Sequence, residues 1–306
     1  MYDELKDIPN YKNWKVIEKI NKGWSKDSKF YIENFDGDKL LVRISDRSNY
    51  GDKLEEFKFI KKCNKLSFAM SKAIEMGFCN NGNSVYMLLT WVDGNSLNEV
   101  LSDFTESEQY KLGIEAGKIL KSIHSLKSDT NENIMPSYKR EKMLEKLIRY
   151  ENSKNRVKED KVAIDFVKNN IGKIDLSIPV YKHGDYHVGN LVLTSNGNIG
   201  VIDFNRWEYG DRVEEFHKIQ SFDVEVSIPF SIGQIHGYFD GNPNLEFWSI
   251  LAVYVAYTSL NSIAWAEKFG EKEIKEMQKR CIMAFKDYDN FKNIIPSWYK
   301  DNRYQC

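Results

Sequence analysis

The sequence predicts an α+β protein of two lobes: an antiparallel β-sheet lobe over residues 1–92 and a mainly α-helical lobe over residues 93–306. Short segments rich in aromatic and β-branched residues fill the first part of the chain, which is typical of strands. After Asp93-Gly94 the apolar residues recur at helical spacing instead. The length of 306 residues agrees with two lobes, at a prior of roughly 150 residues per domain.

Five segments predict the strands of the N-terminal lobe: 14–20, 29–35, 39–45, 73–78 and 84–92. Asp36-Gly37 predicts a hairpin turn between the second and third of these strands, because this dipeptide tolerates the left-handed conformation such turns need. Residues 52–65 carry apolar side chains at positions 54, 57 and 60 with charged residues between them. That spacing predicts one helix packed on the sheet.

Helices dominate the predicted C-terminal lobe. Thr105 and Glu108 form a capping-box pattern at the start of a long apolar periodicity, and further helical patterns cover about 139–151 and 156–169. Residues 178–204 interrupt them with a polar loop, the strand LVLT, an Asn-Gly turn and the strand IGVIDF. We expect this hairpin to belong to the C-terminal lobe.

Composition excludes several classes of protein. The 44 basic and 45 acidic residues leave a net charge of -1, and 42% of the residues are hydrophobic, so neither a disordered chain nor a general nucleic-acid binder is expected. The four cysteines lack the C-x-x-C spacing of zinc sites. The N-terminus does not resemble a signal peptide, and polar residues break the apolar stretch 247–266. We therefore expect a cytoplasmic protein without a membrane partner, and a monomer because the sequence has no amphipathic heptads and no spare apolar patch.

The most informative segment is HGDYHVGN, residues 183–190, followed by Ile202-Asp203-Phe204. Asp185 and Asn190 lie five residues apart on a loop, and Asp203 follows at the end of the hairpin's second strand. Phosphoryl transfer needs a carboxylate that orients a hydroxyl, together with amide and carboxylate oxygens that can bind Mg²⁺. Each part alone could be an ordinary turn or strand end, but the combined spacing indicates this chemistry.

HGDYHVGN…VIDF resembles the aminoglycoside phosphotransferase family, small-molecule kinases with the bilobal fold of protein kinases, and WVDGNSL (91–97) is similar to the family's hinge. The resemblance implies a kinase that uses ATP or GTP and Mg²⁺ to phosphorylate an aminoglycoside antibiotic, and hence antibiotic resistance. It implies that Asp185 is the catalytic base. It also implies that Asn190 and Asp203 hold Mg²⁺.

The same resemblance assigns nucleotide binding to the N-terminal lobe. Arg43 lies where kinases carry a phosphate-pairing lysine, with Glu56, or its neighbour Glu55, as the expected partner. Arginine departs from that pattern, although a guanidinium can also clamp phosphate oxygens. A surface arginine on an exposed strand face is the alternative.

Two further stretches are expected to contact the nucleotide. The loop 21–28 has one glycine rather than a protein kinase's glycine-rich pattern, so the hydroxyls of Ser25 and Ser28 and nearby backbone N–H groups are the candidates for phosphate contacts. The base is expected to bind the backbone between Thr90 and Val92.

Residues 203–225 contain seven acidic and three basic side chains, which gives a local charge of -4. Such a field would attract a polycation, so Glu208, Glu214 and Glu215 are candidates for binding an aminoglycoside. A solvated helix face is the alternative. The aromatic residues of the C-terminal part could instead line a cavity for a macrolide or for a choline-like cation.

Other functions stay open at this point. The acceptor could be another metabolite, such as choline, an amino sugar or homoserine, or a macrolide. The chain could also be a nucleotide-binding pseudokinase that regulates a partner. The intact Asp185, Asn190 and Asp203 argue against a pseudokinase, whereas the arginine at position 43 argues weakly for one.

Overall fold

A computed structural model describes residues 2–21, 26–127, 136–177 and 179–300. The chain forms two compact units: unit 1 comprises Met1–Leu97 and Gly189–Trp207, and unit 2 comprises Asn98–Val188 and Glu208–Cys306. The lobe boundary after residue 92 stays a prediction. The sequence pattern had assigned the hairpin after residue 190 to the C-terminal lobe, whereas here it is grouped with unit 1.

The described residues contain eleven strands. In chain order they are β1 (Trp14–Ile20), β2 (Ser28–Asn34), β3 (Lys39–Asp46), β4 (Ala69–Met70), β5 (Ala73–Cys79), β6 (Ser84–Thr90), β7 (Asn95–Ser96), β8 (Pro179–Lys182), β9 (Leu191–Leu193), β10 (Ile199–Val201) and β11 (Glu208–Asp211).

The main sheet of unit 1 is antiparallel throughout, with the order β1-β2-β3-β6-β5. Alternate residues of its strands, including Phe30, Ile32 and Val42, are buried in one core, as the period-2 pattern predicts. The predicted turn at Asp36-Gly37 is confirmed, because Gly37 has a φ of +87° that glycine tolerates.

The hairpin β9–β10 belongs to a second sheet of unit 1, with the order β4-β10-β9-β7. β10 pairs in parallel with β4 through Gly200 and Ala69, and β9 pairs with β7 through Val192 and Ser96. These partners are distant in the sequence and only two residues long, so local patterning could not indicate them.

The α-helices are α1 (Tyr50–Cys63), α2 (Leu97–Val100), α3 (Glu106–His124), α4 (Pro136–Glu151), α5 (Lys161–Asn170), α6 (Val224–Val226), α7 (Ile228–Phe239), α8 (Leu245–Ala266) and α9 (Glu271–Asp287). The predicted capping box at α3 is confirmed: the Thr105 side chain accepts from the Glu108 backbone, and the Glu108 carboxylate accepts from the Thr105 backbone N–H. The antiparallel sheet of unit 1 and the helices of unit 2 confirm the predicted α+β class.

Helices α3 and α7 of unit 2 pack with their backbones in close approach. A Cβ on Gly117 would lie 2.1 Å from the Gln234 carbonyl oxygen, and one on Gly233 would lie 2.2 Å from that of Tyr110. Only glycine fits at such distances, so these residues set the separation of the two helices. The packing matters for the site because Tyr186 donates to the Ala116 carbonyl of α3, at 2.7 Å.

The segment Leu245–Phe269, which contains α8, is long and apolar enough to cross a membrane, but 72% of its most apolar part is buried inside the protein. Its aromatic side chains Trp248 and Tyr254 are buried as well. This burial is what a core helix of a folded domain shows, and polar interruptions in the sequence had predicted the same.

Candidate active site

The HGD loop, residues 183–188, is held in unit 2 by the carboxylate of Glu215. Its Oε2 accepts from the Gly184 N–H at 3.0 Å, and its Oε1 accepts from the Tyr186 N–H at 3.2 Å. Glu215 is 3% exposed. Burial alone would raise its pKa, but nearby basic side chains, His124 first among them, outweigh burial and lower the pKa to about 2. The ionised Glu215 carboxylate therefore binds the backbone N–H groups of the two residues that flank Asp185.

Asp185 itself contacts two basic side chains of unit 2. Lys218 Nζ donates to Asp185 Oδ1 at 2.6 Å, and His187 Nε2 lies 3.8 Å from the same oxygen. The His187 ring stacks on Phe222 with 4.6 Å between ring centroids. Lys218 is 8% exposed, so its ammonium group lies against Asp185 with little solvent around it.

A second carboxylate supports the end of the loop. Asp223 Oδ1 accepts from the Val188 N–H at 2.9 Å, and Asp223 is fully buried. Burial raises the pKa of Asp223 well above its ordinary value, and the hydrogen bond from Val188 and the charge of Lys218 only oppose that shift. Both carboxyl groups support the backbone of the loop, but the pKa of Asp223 is raised whereas that of Glu215 is lowered.

In unit 1 the β9–β10 hairpin brings the next two predicted residues together. The Ile202 N–H donates to the Asn190 backbone carbonyl at 3.0 Å, so the chain segments that carry Asn190 and Asp203 adjoin where the hairpin opens. Asp203 has a φ of +64°, which turns the chain sharply after β10. The pair offers an amide oxygen and a carboxylate, the hard oxygen donors that Mg²⁺ prefers, and Lys29 Nζ already lies 2.8 Å from Asp203 Oδ2. These residues fit a divalent cation.

The predicted pair of Arg43 and Glu56 forms in unit 1, inside a larger group that we call the sheet cluster: Asp27, Arg43, Lys53 and Glu56. Arg43 donates to Glu56 and to Asp27, the latter at 2.5 Å. Lys53 bridges the same two carboxylates at 2.7 Å from Asp27 and 3.0 Å from Glu56. Glu55, the alternative partner, is exposed and pairs with Lys58.

Arg43 is therefore not a surface arginine, since it is only 3% exposed. Burial would lower the pKa of its guanidinium, but the charges of Glu56, Asp203 and Asp27 raise it, so the group stays charged. The alternative of an exposed strand face is wrong, because β3 is a central strand of the main sheet.

The other predicted nucleotide residues lie at the ends of strands. Ser28 begins β2 and is half-buried, whereas Ser25 lies outside the described residues. Thr90 ends β6, where its N–H donates to the Lys72 carbonyl at 2.9 Å and its hydroxyl accepts from the Lys72 N–H. Val92 follows the end of the strand and is half-buried.

A family model decides what this architecture is. The model described as the phosphotransferase enzyme family matches residues 16–248, which is well over half of the chain. The chain belongs to this family. Comparison with curated protein sequences gives no match.

Solved structures of similar fold include three phosphotransferases. The ADP-bound aminoglycoside phosphotransferase APH(2'')-Ib is 18% identical with a TM-score of 0.62, over 90% of this chain and 96% of that chain. The GDP complex of wild-type aminoglycoside 2'-phosphotransferase-IIIa is 12% identical with a TM-score of 0.68, over 92% and 96%. The amicoumacin kinase hAmiN, in complex with AMP-PNP, Ca²⁺ and Ami, is 12% identical with a TM-score of 0.66, over 96% of each chain. These likenesses confirm the protein-kinase-like fold.

In this phosphotransferase the three acidic residues predicted to attract an acceptor have other partners. Lys182, which is 2% exposed, donates to both Glu208 and Glu214, and Lys139 also pairs with Glu214. Glu215 supports the HGD loop, as described above. Their negative charge is therefore compensated within unit 2, which weakens the field that the sequence count of -4 suggested.

Sequence reasoning missed the residues that support the HGD loop. Asp211 accepts from the Val213 N–H at 2.7 Å and from the Tyr254 hydroxyl at 2.6 Å, while Glu215 and Asp223 support the loop. Lys218 was missed as well. It follows Asp185 by 33 residues, and no spacing in the sequence marks it as a partner.

Proposed function

We propose that this phosphotransferase is a small-molecule kinase that transfers the γ-phosphate of ATP or GTP to a hydroxyl group, with an aminoglycoside-like compound as acceptor. One observation carries the proposal. Asp185 is held by Glu215 through the backbone on both sides of it, and the amide of Asn190 follows five residues later beside Asp203. A base and two oxygen donors in this order match what phosphoryl transfer needs.

In the proposed reaction the acceptor hydroxyl hydrogen-bonds to the Asp185 carboxylate. Its oxygen attacks the γ-phosphorus in line, the bond between that phosphorus and the β,γ-bridging oxygen breaks, and the hydroxyl proton passes to Asp185. Lys218 holds one carboxylate oxygen through its 2.6 Å contact and balances the charge of the base. The nucleoside diphosphate leaves with the electron pair of the broken bond.

Asn190 and Asp203 are the residues that would hold Mg²⁺, which when bound offsets negative charge on the phosphates. The backbone hydrogen bond from Ile202 to Asn190 holds together the chain segments that carry these two residues. Unit 1 contains the residues proposed to bind the nucleotide, which supports assigning nucleotide binding to that unit. They are Arg43, Glu56, Ser28, Thr90 and Val92, and Ser25 is proposed with them from the sequence.

The identity of the acceptor rests on the similar proteins. Two of the three solved structures described above are aminoglycoside phosphotransferases, which supports an aminoglycoside and, with it, antibiotic resistance. A less cationic acceptor is the second candidate, because Lys182 and Lys139 compensate Glu208 and Glu214. The amicoumacin kinase is a structure of comparable similarity. We further propose that the enzyme acts in the cytoplasm as a monomer, without membrane or nucleic acid.

The test is a coupled assay of nucleoside-diphosphate release, with ATP and with GTP, against aminoglycosides, amicoumacin, macrolides, choline and amino sugars. Asp185→Asn should lower the stimulated rate on the order of 10²–10⁴-fold and leave nucleotide affinity nearly unchanged. Asp165→Asn is the matched control, because this aspartate is 53% exposed on α5.

Activity of Asp185→Asn within a few-fold of the wild type would overturn the assignment of the base. Nucleotide binding without turnover for any acceptor would favour the regulatory pseudokinase instead. Stimulation by the cationic acceptors alone would support the aminoglycoside, and stimulation by amicoumacin alone would support the second candidate.

A further inference from the structure

Both terminal nitrogens of the Arg43 guanidinium already face carboxylates of the sheet cluster. Its guanidinium donates to the carboxylates of both Glu56 and Asp27, and Lys53 donates to the same two carboxylates. Two cations therefore face two anions inside the sheet cluster, and the cluster is neutral by itself. A buried, balanced guanidinium offers little net attraction to a polyphosphate.

Lys29 is the next basic side chain on the same face of the main sheet. It lies directly opposite Arg43 in the register of β2 with β3, and residues opposite each other on neighbouring strands point to the same side. Its Nζ donates to Asp203 Oδ2 at 2.8 Å, and the two side chains are 13% and 25% exposed. Lys29 thus pairs with the carboxylate assigned to Mg²⁺ rather than with the sheet cluster.

We propose that Lys29, and not Arg43, is the cation of unit 1 that contacts the phosphates of the nucleotide, and that it leaves Asp203 when a divalent cation binds that carboxylate. This inference rests on the proposed function. A lysine suits such an exchange, because its ammonium group is a compact charge on a flexible stem that can turn from one oxygen to another. Arg43 then acts as a positioning residue, which holds Asp27 and Glu56.

Replacing Lys29 should lower the affinity for the nucleotide without lowering the affinity for a metal ion. Without the ammonium group of Lys29, the nucleotide phosphates lose one charge-assisted hydrogen bond, so the affinity for the nucleotide falls. The replacement also removes the competitor for the Asp203 carboxylate, so a metal ion alone binds at least as tightly as before. A general loss of structure would weaken both.

The experiment compares Lys29→Met with the wild-type chain by calorimetry, using Mg²⁺ with AMP-PNP and Mg²⁺ with GMP-PNP as nucleotide probes. The dissociation constant of the better nucleotide should rise about 10- to 100-fold, the range that one charge-assisted hydrogen bond contributes. Binding of Mn²⁺ alone, followed by its electron paramagnetic resonance signal, should be unchanged or tighter. Thermal melting by circular dichroism checks the fold of each variant.

Two variants serve as controls. Lys15→Met removes a strand lysine that lies 3.8 Å from Glu33 and is 57% exposed, so it should leave both affinities within about twofold of the wild type. Arg43→Lys keeps a positive charge beside Glu56, and its effect on the nucleotide should be smaller than that of Lys29→Met.

The outcomes separate this inference from the proposed function. If the wild type binds nucleotide and Lys29→Met binds it equally well, the inference is overturned and the proposed function stands. Parallel weakening of nucleotide and Mn²⁺ would also overturn it, because that result indicates a structural role. A wild type that binds neither nucleotide would overturn both proposals.

Discussion

The sheet cluster of unit 1 and the support of the HGD loop in unit 2 both bury carboxylates, but in different ways. In the sheet cluster, Asp27 and Glu56 face the cationic side chains of Arg43 and Lys53. In unit 2, the Glu215 carboxylate accepts hydrogen bonds from two backbone N–H groups of the loop. The first arrangement joins side chain to side chain, and the second joins side chain to backbone.

The difference shows what each carboxylate does for the candidate site. A charge balanced by other side chains keeps a group of residues in place, and removing one member leaves an opposite charge buried without compensation. A carboxylate bonded to backbone N–H groups instead sets the conformation of the main chain, and here that main chain carries Asp185. Three substitutions test this contrast.

The largest effect on stability is expected from Arg43→Met. It leaves Asp27 and Glu56 buried with Lys53 as their remaining cationic partner in the sheet cluster, and breaking a buried ion pair in this way costs about 3–5 kcal/mol. The free energy of unfolding from urea titrations measures the loss, with Arg43→Lys expected to lose less. A loss below about 1 kcal/mol, as for an exposed pair, would show that the sheet cluster does not depend on its balance of charges.

The next effect is expected at acid pH, from Glu215. Its pKa is about 2 in the folded chain, against an ordinary value of 4.5. A lowered pKa means that the carboxylate stabilises the fold above pH 4.5 and loses this contribution as the pH falls from 4.5 towards 2, by up to about 3 kcal/mol.

Urea titrations at several pH values would measure this window for the wild type and for Glu215→Gln. The difference between the two chains cancels the titration of the other carboxyl groups, including the opposite shift of Asp223. We expect the Gln variant to lack the Glu215 part of the acid slope. Equal slopes in the two chains would mean that the loop does not depend on an ionised carboxylate.

The smallest effect is expected from Asp223→Asn. Burial raises the pKa of Asp223, so its negative charge is less favoured than that of Glu215, and an asparagine oxygen can still accept from the Val188 N–H. We expect less than about 1 kcal/mol of destabilisation at pH 5, where Glu215→Gln costs more. The same urea titrations decide this, and a larger loss from Asp223→Asn than from Glu215→Gln would reverse the comparison within unit 2.

Elements with a local pattern could be predicted from the sequence. The strands β1 to β3 follow their aromatic and β-branched residues, and α3 begins at its capping box. The HGD loop and Asp203 were identified as candidates because two carboxylates and an amide fall within one short segment. The pair of Arg43 and Glu56 was predicted from a resemblance, and the structure contains that ion pair.

Partners that meet only through folding could not be predicted. Lys29 lies 174 positions before Asp203, and Lys218 lies 33 positions after Asp185, yet both pairs are in hydrogen-bond contact. The partners of the acidic residues Glu208, Glu214 and Glu215 could not be predicted either. The number of acidic residues after position 203 suggested an open negative field, whereas burial against Lys182 and support of the HGD loop engage these three inside unit 2.

The sequence by itself determined the α+β class and the order of the candidate site residues, because backbone preference and motif spacing act over a few residues. Apart from the pair of Arg43 and Glu56, which a resemblance predicted, tertiary structure decided which charges meet. It placed Arg43 between two carboxylates, Lys29 on Asp203 and Lys218 on Asp185. The physical reason is that Coulomb and hydrogen-bond interactions depend on distance in space and on solvent exposure, which positions along a chain do not specify.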